Sequence, residues 1–156
     1  MTKTRSPHCY FLVGFPGSGK STWATERFLI PITGTDKWVN ILAQQRGKTY
    51  TEVFSDVIPE ATQLFDKEVE ALVDARRSFI WDQTNLTVKS RASKIARLVG
   101  YEITAVVFDI DPDELHRRQS QRADKVIPKR VLLQMAFDYQ CPTVDEGFSR
   151  VNIIKV

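Results

Sequence analysis

Gly14-Phe15-Pro16-Gly17-Ser18-Gly19-Lys20-Ser21-Thr22 is the stretch whose reading decides the fold. It fits the phosphate-binding pattern G-x-x-x-x-G-K-[ST], with Gly14, Gly19, Lys20 and Ser21 at the defining positions. Glycines let the backbone turn tightly, so that successive N–H groups point inward at an anion. The following helix adds the positive end of its dipole. Lys20 adds a cation that reaches the outer phosphates, and the Ser21 hydroxyl can ligate Mg²⁺. The neighbours agree: residues 9–13 are an apolar run that reads as a strand, and residues 21–28 read as a helix. The expected ligand is a nucleoside triphosphate with Mg²⁺, held by Gly14, Pro16, Gly17, Ser18, Gly19, Lys20, Ser21 and Thr22.

Outward from this loop, strands and helices alternate. Residues 31–35 are a short strand or turn, after which Asp36 opens a helix to about Gln45. Residues 51 to about 76 read as a long helix that Pro59 kinks or splits. Residues 78–81 are an apolar strand ending at Asp82. Residues 87–99 have the period of an amphipathic helix with Val88, Ala92, Ile95, Ala96 and Val99 inward, Arg91, Lys94 and Arg97 on another face, and Gly100 as its cap. A strongly apolar strand follows at 103–110, then helices at 111–121 and 128–139 and a last strand at 151–156. This alternation predicts an α/β fold, a parallel sheet with helices on both faces. A length of 156 residues suits a single domain, residues 1–156.

Composition excludes several classes. An apolar fraction of 42% is ordinary for a globular chain. Cys9 and Cys141 lie far apart without a C-x-x-C, which argues against a zinc site or disulfide framework and for reduced thiols in the cytoplasm. No apolar run approaches the roughly 20 residues that span a bilayer, so no membrane partner is expected. The basic N-terminal start runs straight into the first strand and lacks the form of a signal peptide. Net charge is only +3, but it is unevenly spread. Residues 87–98 carry four bases and no acid, and residues 114–130 carry six bases against two acids. Such an electropositive half suits a polyanionic ligand.

Ligands of open parallel sheets sit beyond the carboxyl ends of the strands, so polar residues there are the suspects. Asp82 ends an apolar strand as a metal-orienting acid would, and capping the next turn is the alternative. Asp36 can accept the proton of an attacking hydroxyl, or serve as a helix N-cap. Arg118 and Arg122 share one helix face ahead of a polar loop at 123–128. This pattern suits a mobile lid over residues 115–130 whose arginines neutralise a phosphoryl group in transfer, and a solvated helix face is the alternative.

Together these residues resemble the polynucleotide 5′-kinase family of P-loop phosphotransferases, the phage-type enzymes in particular, over nearly the whole chain. The resemblance is carried by "PGSGKSTW", by Asp36 at the position of the family's general base, by "DQTN" against its D-x-T-N signature, by Arg91, by the arginine pair, and by "VIP…VL" and "EGF…V" near the end. It implies the three-layer P-loop NTPase fold with a small helical lid, and transfer of the γ-phosphate of ATP to the 5′-hydroxyl of RNA or DNA. It further implies Asp36, Lys20, Arg118 and Arg122 as catalytic, Ser21 and Asp82 as the Mg²⁺ pair, and Thr84, Asn85, Arg91, Trp38 and Lys37 as acceptor contacts. The basic face of helix 87–98 would hold backbone phosphates, and Trp38 would stack on a terminal base unless it is core. One departure stands out: Val39 occupies the place where several members carry an acceptor-binding arginine.

Two other readings remain open. The same loop, base and lid would serve a kinase of a small hydroxylated metabolite. The sequence also resembles the P-loop domain of heterogeneous nuclear ribonucleoprotein U-like proteins, which share "DQTN", and such a chain would bind nucleotide or RNA without catalysis.

Overall fold

The computed structural model describes residues 4–156; residues 1–3, part of the basic start, lie outside the described residues. In chain order the elements are β1 (His8–Val13), α1 (Lys20–Arg27), β2 (Ile32–Thr33), α2 (Thr35–Gln45), α3 (Tyr50–Asp74), β3 (Phe79–Asp82), α4 (Val88–Ile95), β4 (Glu102–Asp109), α5 (Pro112–Ser120), α6 (Lys129–Asp138) and β5 (Arg150–Lys155). The five strands form one sheet in the order β2-β3-β1-β4-β5, every pairing parallel. β1 is central, so the run Phe11-Leu12-Val13 is buried on both faces. Leu12, Ile80, Val106 and Phe108 meet Ala24 of α1 on one side. Phe11, Trp81, Ala105 and Val107 meet Phe65, Val69 and Leu72 of α3 on the other. This is the three-layer α/β arrangement of P-loop proteins.

α3 is unbroken through Pro59, so the split that the sequence allowed does not occur. Pro59 and Ser55, whose carbonyl loses its partner, are both exposed, so that carbonyl is open to solvent hydrogen bonding. The helix starts firmly: the Thr49 hydroxyl accepts from Glu52 N at 3.3 Å, and Thr49 N donates to Glu52 Oε2 at 2.7 Å.

α4 departs further from expectation. It ends at Ile95 and not near 99, and its inward face differs from the one its apolar spacing indicates. Val88 and Val99 are exposed, Ala92 and Ala96 likewise, while Arg91 and Leu98 are buried.

Gly34 sets the spacing between the two halves of the candidate site. A Cβ built on it would lie 2.0 Å from the main-chain oxygen of Asp82. Only a bare α-carbon lets the β2–α2 turn approach the end of β3, and that approach brings Asp36 towards Asp82. Gly34→Ala is expected to force the two segments apart and cost about 3 kcal/mol, within the range for overpacked sites. A shift in the urea midpoint with unchanged m-value would report it.

Candidate active site

The loop between β1 and α1 has the form its glycines allow. Gly17 and Gly19 adopt φ of 87° and 92°, the left-handed region that side chains avoid. Gly14 N donates to Thr84 O at 3.0 Å, fastening the loop to the end of β3. Lys20 opens α1 and is buried; its ammonium donates to Gly14 O at 3.1 Å and Phe15 O at 3.0 Å. Burial, aided by the nearby charges of Lys125 and Arg122, lowers its pKa to about 8 against the pull of Asp82 and Asp36. Pro16 and Ser18 are buried in the loop, the Ser18 hydroxyl without a partner, and Thr22 is exposed on the first turn of α1.

Ser21 Oγ donates to Asp82 Oδ2 at 2.5 Å. A hydroxyl and a carboxylate held together beside a phosphate loop are the donor set that Mg²⁺ takes from protein, the rest coming from phosphates and water. No cluster of three His, Cys, Asp or Glu side chains suited to a metal occurs among the described residues. Burial raises the Asp82 pKa, against the Ser21 hydrogen bond and the Lys20 charge.

Asp36 lies in the first turn of α2, whose N-cap is Gly34, so the capping alternative is excluded. Its side chain is 54% exposed and presents both oxygens to donors. Tyr50 Oη donates to Oδ1 at 2.6 Å, and the Lys125 ammonium pairs with Oδ2. Partial burial favours the neutral acid, but Lys125, Tyr50 and Lys20 outweigh it and hold the carboxyl below its usual range. Tyr50 is pushed up by burial and by its bond to Asp36.

α5 and the turn after it bring the arginine pair to the loop: Arg118 lies on the helix, and Arg122 just past its end, against the expected shared helix face. Asp111 Oδ1 caps its start, accepting from Asp113 N at 2.9 Å and Glu114 N at 3.3 Å. Gln119 Nε2 donates to Pro16 O at 2.9 Å, tying this helix to the phosphate loop. Arg118 Nη1 would stand 3.4 Å from a Cβ on Gly19, and Arg122 Nη1 3.8 Å from one on Gly17. Glu114 Oε1 accepts from Arg118 Nε at 2.8 Å, and its hydrogen bonds to Arg117 and Arg118 hold its pKa down to about 2.

The acceptor contacts are not gathered in the same way. Arg91 is fully buried: Nε and Nη2 donate to Glu146 at 2.7 and 3.1 Å, and Nη1 to Asn85 O at 2.8 Å. Asn85 is itself buried, at a left-handed φ of 51°, its amide donating to Leu12 O at 2.8 Å and its Oδ1 accepting from Lys94 at 2.5 Å. Arg97 Nη1 donates to Asp66 Oδ1 at 3.1 Å. The face expected to grip backbone phosphates is therefore largely spent on the protein's own groups. Trp38 is half-buried and packs against two core clusters, with the Lys37 ammonium 5.4 Å from its ring centre. Lys37 donates to both Glu68 oxygens at 2.9 and 3.0 Å. Thr84 is half-buried at the end of β3. Val39 is fully buried among Leu42, Val53 and Val57, which accounts for an apolar residue there. Sequence reasoning missed Tyr50 and Lys125 as partners of Asp36. Lys125 at least lies in the loop beside the arginine pair; nothing in the spacing marks Tyr50.

A cavity of about 260 Å³ adjoins the loop, lined by Gly14, Phe15, Val107, Tyr139, Cys141 and Ile153 among others. It is mostly apolar and open beside the phosphate-binding amides.

Residues 10–142 match the family described as AAA domain. The bifunctional polynucleotide phosphatase/kinase of Schizosaccharomyces pombe is 27% identical over 96% of this chain. The heterogeneous nuclear ribonucleoprotein U-like protein 2 of Mus musculus is 25% identical over 84% of it. This chain spans 34% and 19% of the lengths of these relatives. Among solved structures, a chain of the Pnkp1/Rnl/Hen1 RNA repair complex superposes with a TM-score of 0.67 at 25% identity, covering 88% of this chain and 45% of that one. A sugar kinase from Janibacter sp. superposes with a TM-score of 0.62 at 20% identity, covering 96% of this chain and 85% of that one. With the matched residues running from β1 past α6, the chain belongs to the AAA domain family and has the fold of P-loop kinases.

Proposed function

We propose that the chain transfers the γ-phosphate of ATP to the 5′-hydroxyl end of an RNA or DNA strand. The observation that carries this reading is Asp36, half-exposed and within electrostatic reach of Lys20 and of the Ser21–Asp82 pair. The polynucleotide kinase among the relatives and the RNA repair complex among the structures support the acceptor class.

The loop amides hold the phosphates, and the cavity beside Phe15 and Tyr139 receives the base. The acceptor oxygen attacks the γ-phosphorus as its proton passes to the Asp36 carboxylate. The bond from phosphorus to the β–γ bridging oxygen breaks, and ADP leaves. Lys20 turns from its own loop carbonyls to the phosphates, and Arg118 and Arg122 close over the equatorial oxygens. Ser21 and Asp82 would hold Mg²⁺, which when bound neutralises phosphate charge. The half-exposed Asp36 side chain leaves a path for an acceptor.

A second reading, a kinase of a small hydroxylated metabolite, is favoured by the tethering of Arg91, Arg97 and Lys37 within the protein, which leaves a smaller free basic surface than the sequence suggests. Incubation with γ-labelled ATP, Mg²⁺ and 5′-hydroxyl oligonucleotides of RNA and DNA, with nucleosides and sugars in parallel, separates the readings. Label on oligonucleotide ends is expected. Label on small molecules alone would favour the metabolite kinase, and ATP binding with no transfer would favour a binding module.

Lys20→Ala and Arg122→Ala should each lower transfer by about 10³-fold or more, the scale of charge stabilisation on a transferring phosphoryl group. Single-turnover rates at saturating ATP check this, and an Arg122→Ala rate equal to wild type would remove the lid from the chemistry.

A further inference from the structure

We propose that Lys125 gates Asp36: without an acceptor, its ammonium occupies the carboxylate oxygen that would take a hydroxyl proton, so solvent water is not activated against bound ATP. The proposal rests on the reading of Asp36 as the base.

Both Asp36 oxygens are engaged by protein donors, Oδ1 by the Tyr50 hydroxyl at 2.6 Å and Oδ2 by Lys125. Lys125 comes from the loop between α5 and α6, 89 positions further along the chain. Its side chain is only 14% exposed, and its ammonium lies 4.6 Å from the centre of the Tyr50 ring. The loop is fastened on either side of it. Thr51 Oγ1 donates to Asp124 O at 3.0 Å and accepts from Val126 N at 3.2 Å. The lid is thus latched to the first turn of α3, with its lysine on the candidate base, while the same lid holds Gln119 on Pro16. An ammonium on a carboxylate both fills its lone-pair positions and weakens it as a base.

Water and a strand end compete for the same phosphorus. In either case an oxygen bonds to the γ-phosphorus, the bond to the bridging oxygen of ADP breaks, and Asp36 receives the proton. They differ in what accompanies the oxygen. A strand brings binding energy from its remaining nucleotides, and its anionic backbone competes with Asp36 for Lys125; water brings neither. Opening the contact therefore couples removal of Lys125 to the arrival of an acceptor.

The test uses the full chain and two rates, release of inorganic phosphate from ATP without acceptor and transfer to a 5′-hydroxyl oligonucleotide. Lys125→Met should raise the ratio of hydrolysis to transfer by about tenfold. Thr51→Val, which frees the loop but keeps the lysine, should raise it less, and Lys125→Arg should keep it near wild type. Adding Asp36→Asn to Lys125→Met should abolish the extra hydrolysis. An unchanged ratio in Lys125→Met, or hydrolysis and transfer falling together, overturns the gate; should that variant fail to fold, an unchanged ratio in Thr51→Val does so. The underlying reading fails separately, by wild-type transfer in Asp36→Asn alone.

Discussion

Asp36→Asn is expected to bind ATP nearly as well as wild type and to transfer its phosphoryl group about 10²–10⁴-fold more slowly, the usual contribution of a positioned general base. Asparagine has nearly the same shape. Its Oδ1 can still accept from Tyr50, so the first turns of α2 and α3 stay joined. What it cannot do is take a proton from the attacking hydroxyl. The proposed nucleotide contacts lie elsewhere, on the loop amides and Lys20, so binding and chemistry should separate. Fluorescence titration with a nucleotide analogue and single-turnover transfer on the same preparation measure the two. Transfer at the wild-type rate would take the base role from Asp36. A parallel loss of binding and transfer would mean that the carboxylate holds the site together and does no more.

How much of this site was legible depends on whether a residue's job is set locally. The phosphate loop is local: its glycines meet their backbone requirement within nine positions, and Lys20 and Ser21 follow on the first turn of α1. Asp82 could be read because it ends an apolar strand in a parallel sheet, where topology alone brings it to the loop. α5 could be read with Arg118 on it, but Arg122, four positions on, lies past its end and not on a shared helix face. The pairs that misled span the chain. Periodicity counts an arginine as outward-facing, yet Arg91 turns inward because Glu146, 55 positions later, and the main-chain oxygen of Asn85 accept its charge. The apolar residues Val88 and Val99 are left outside as a result. Lys125 at Asp36, 89 positions apart, is a contact of the same kind, made where the α5–α6 loop meets the start of α3, and Tyr50 reaches Asp36 from the next helix along the chain. A helical wheel has no term for either.

Glu146→Ala should therefore destabilise the fold by about 3–5 kcal/mol, the cost of leaving one member of a buried ion pair without its partner. Arg91 is fully buried, and only Asn85 O would remain to accept from it. The same carboxylate also accepts from Thr143 N at 2.8 Å, so the turn that carries it loosens as well. Glu146→Gln keeps an acceptor without the charge and should fall between the two. Replacing both partners, Arg91→Met with Glu146→Leu, removes the buried charges together and should recover much of the loss, giving a large coupling in a double-mutant cycle. Denaturant titration supplies the energies. Transfer per folded molecule supplies the second readout: if Arg91 is structural, that rate stays near wild type in the double variant while each single variant is mainly short of folded protein. Had Arg91 gripped an acceptor phosphate, its loss would instead raise the acceptor KM at undiminished stability, and a fully buried guanidinium closed over by Glu146 has no face to offer a ligand.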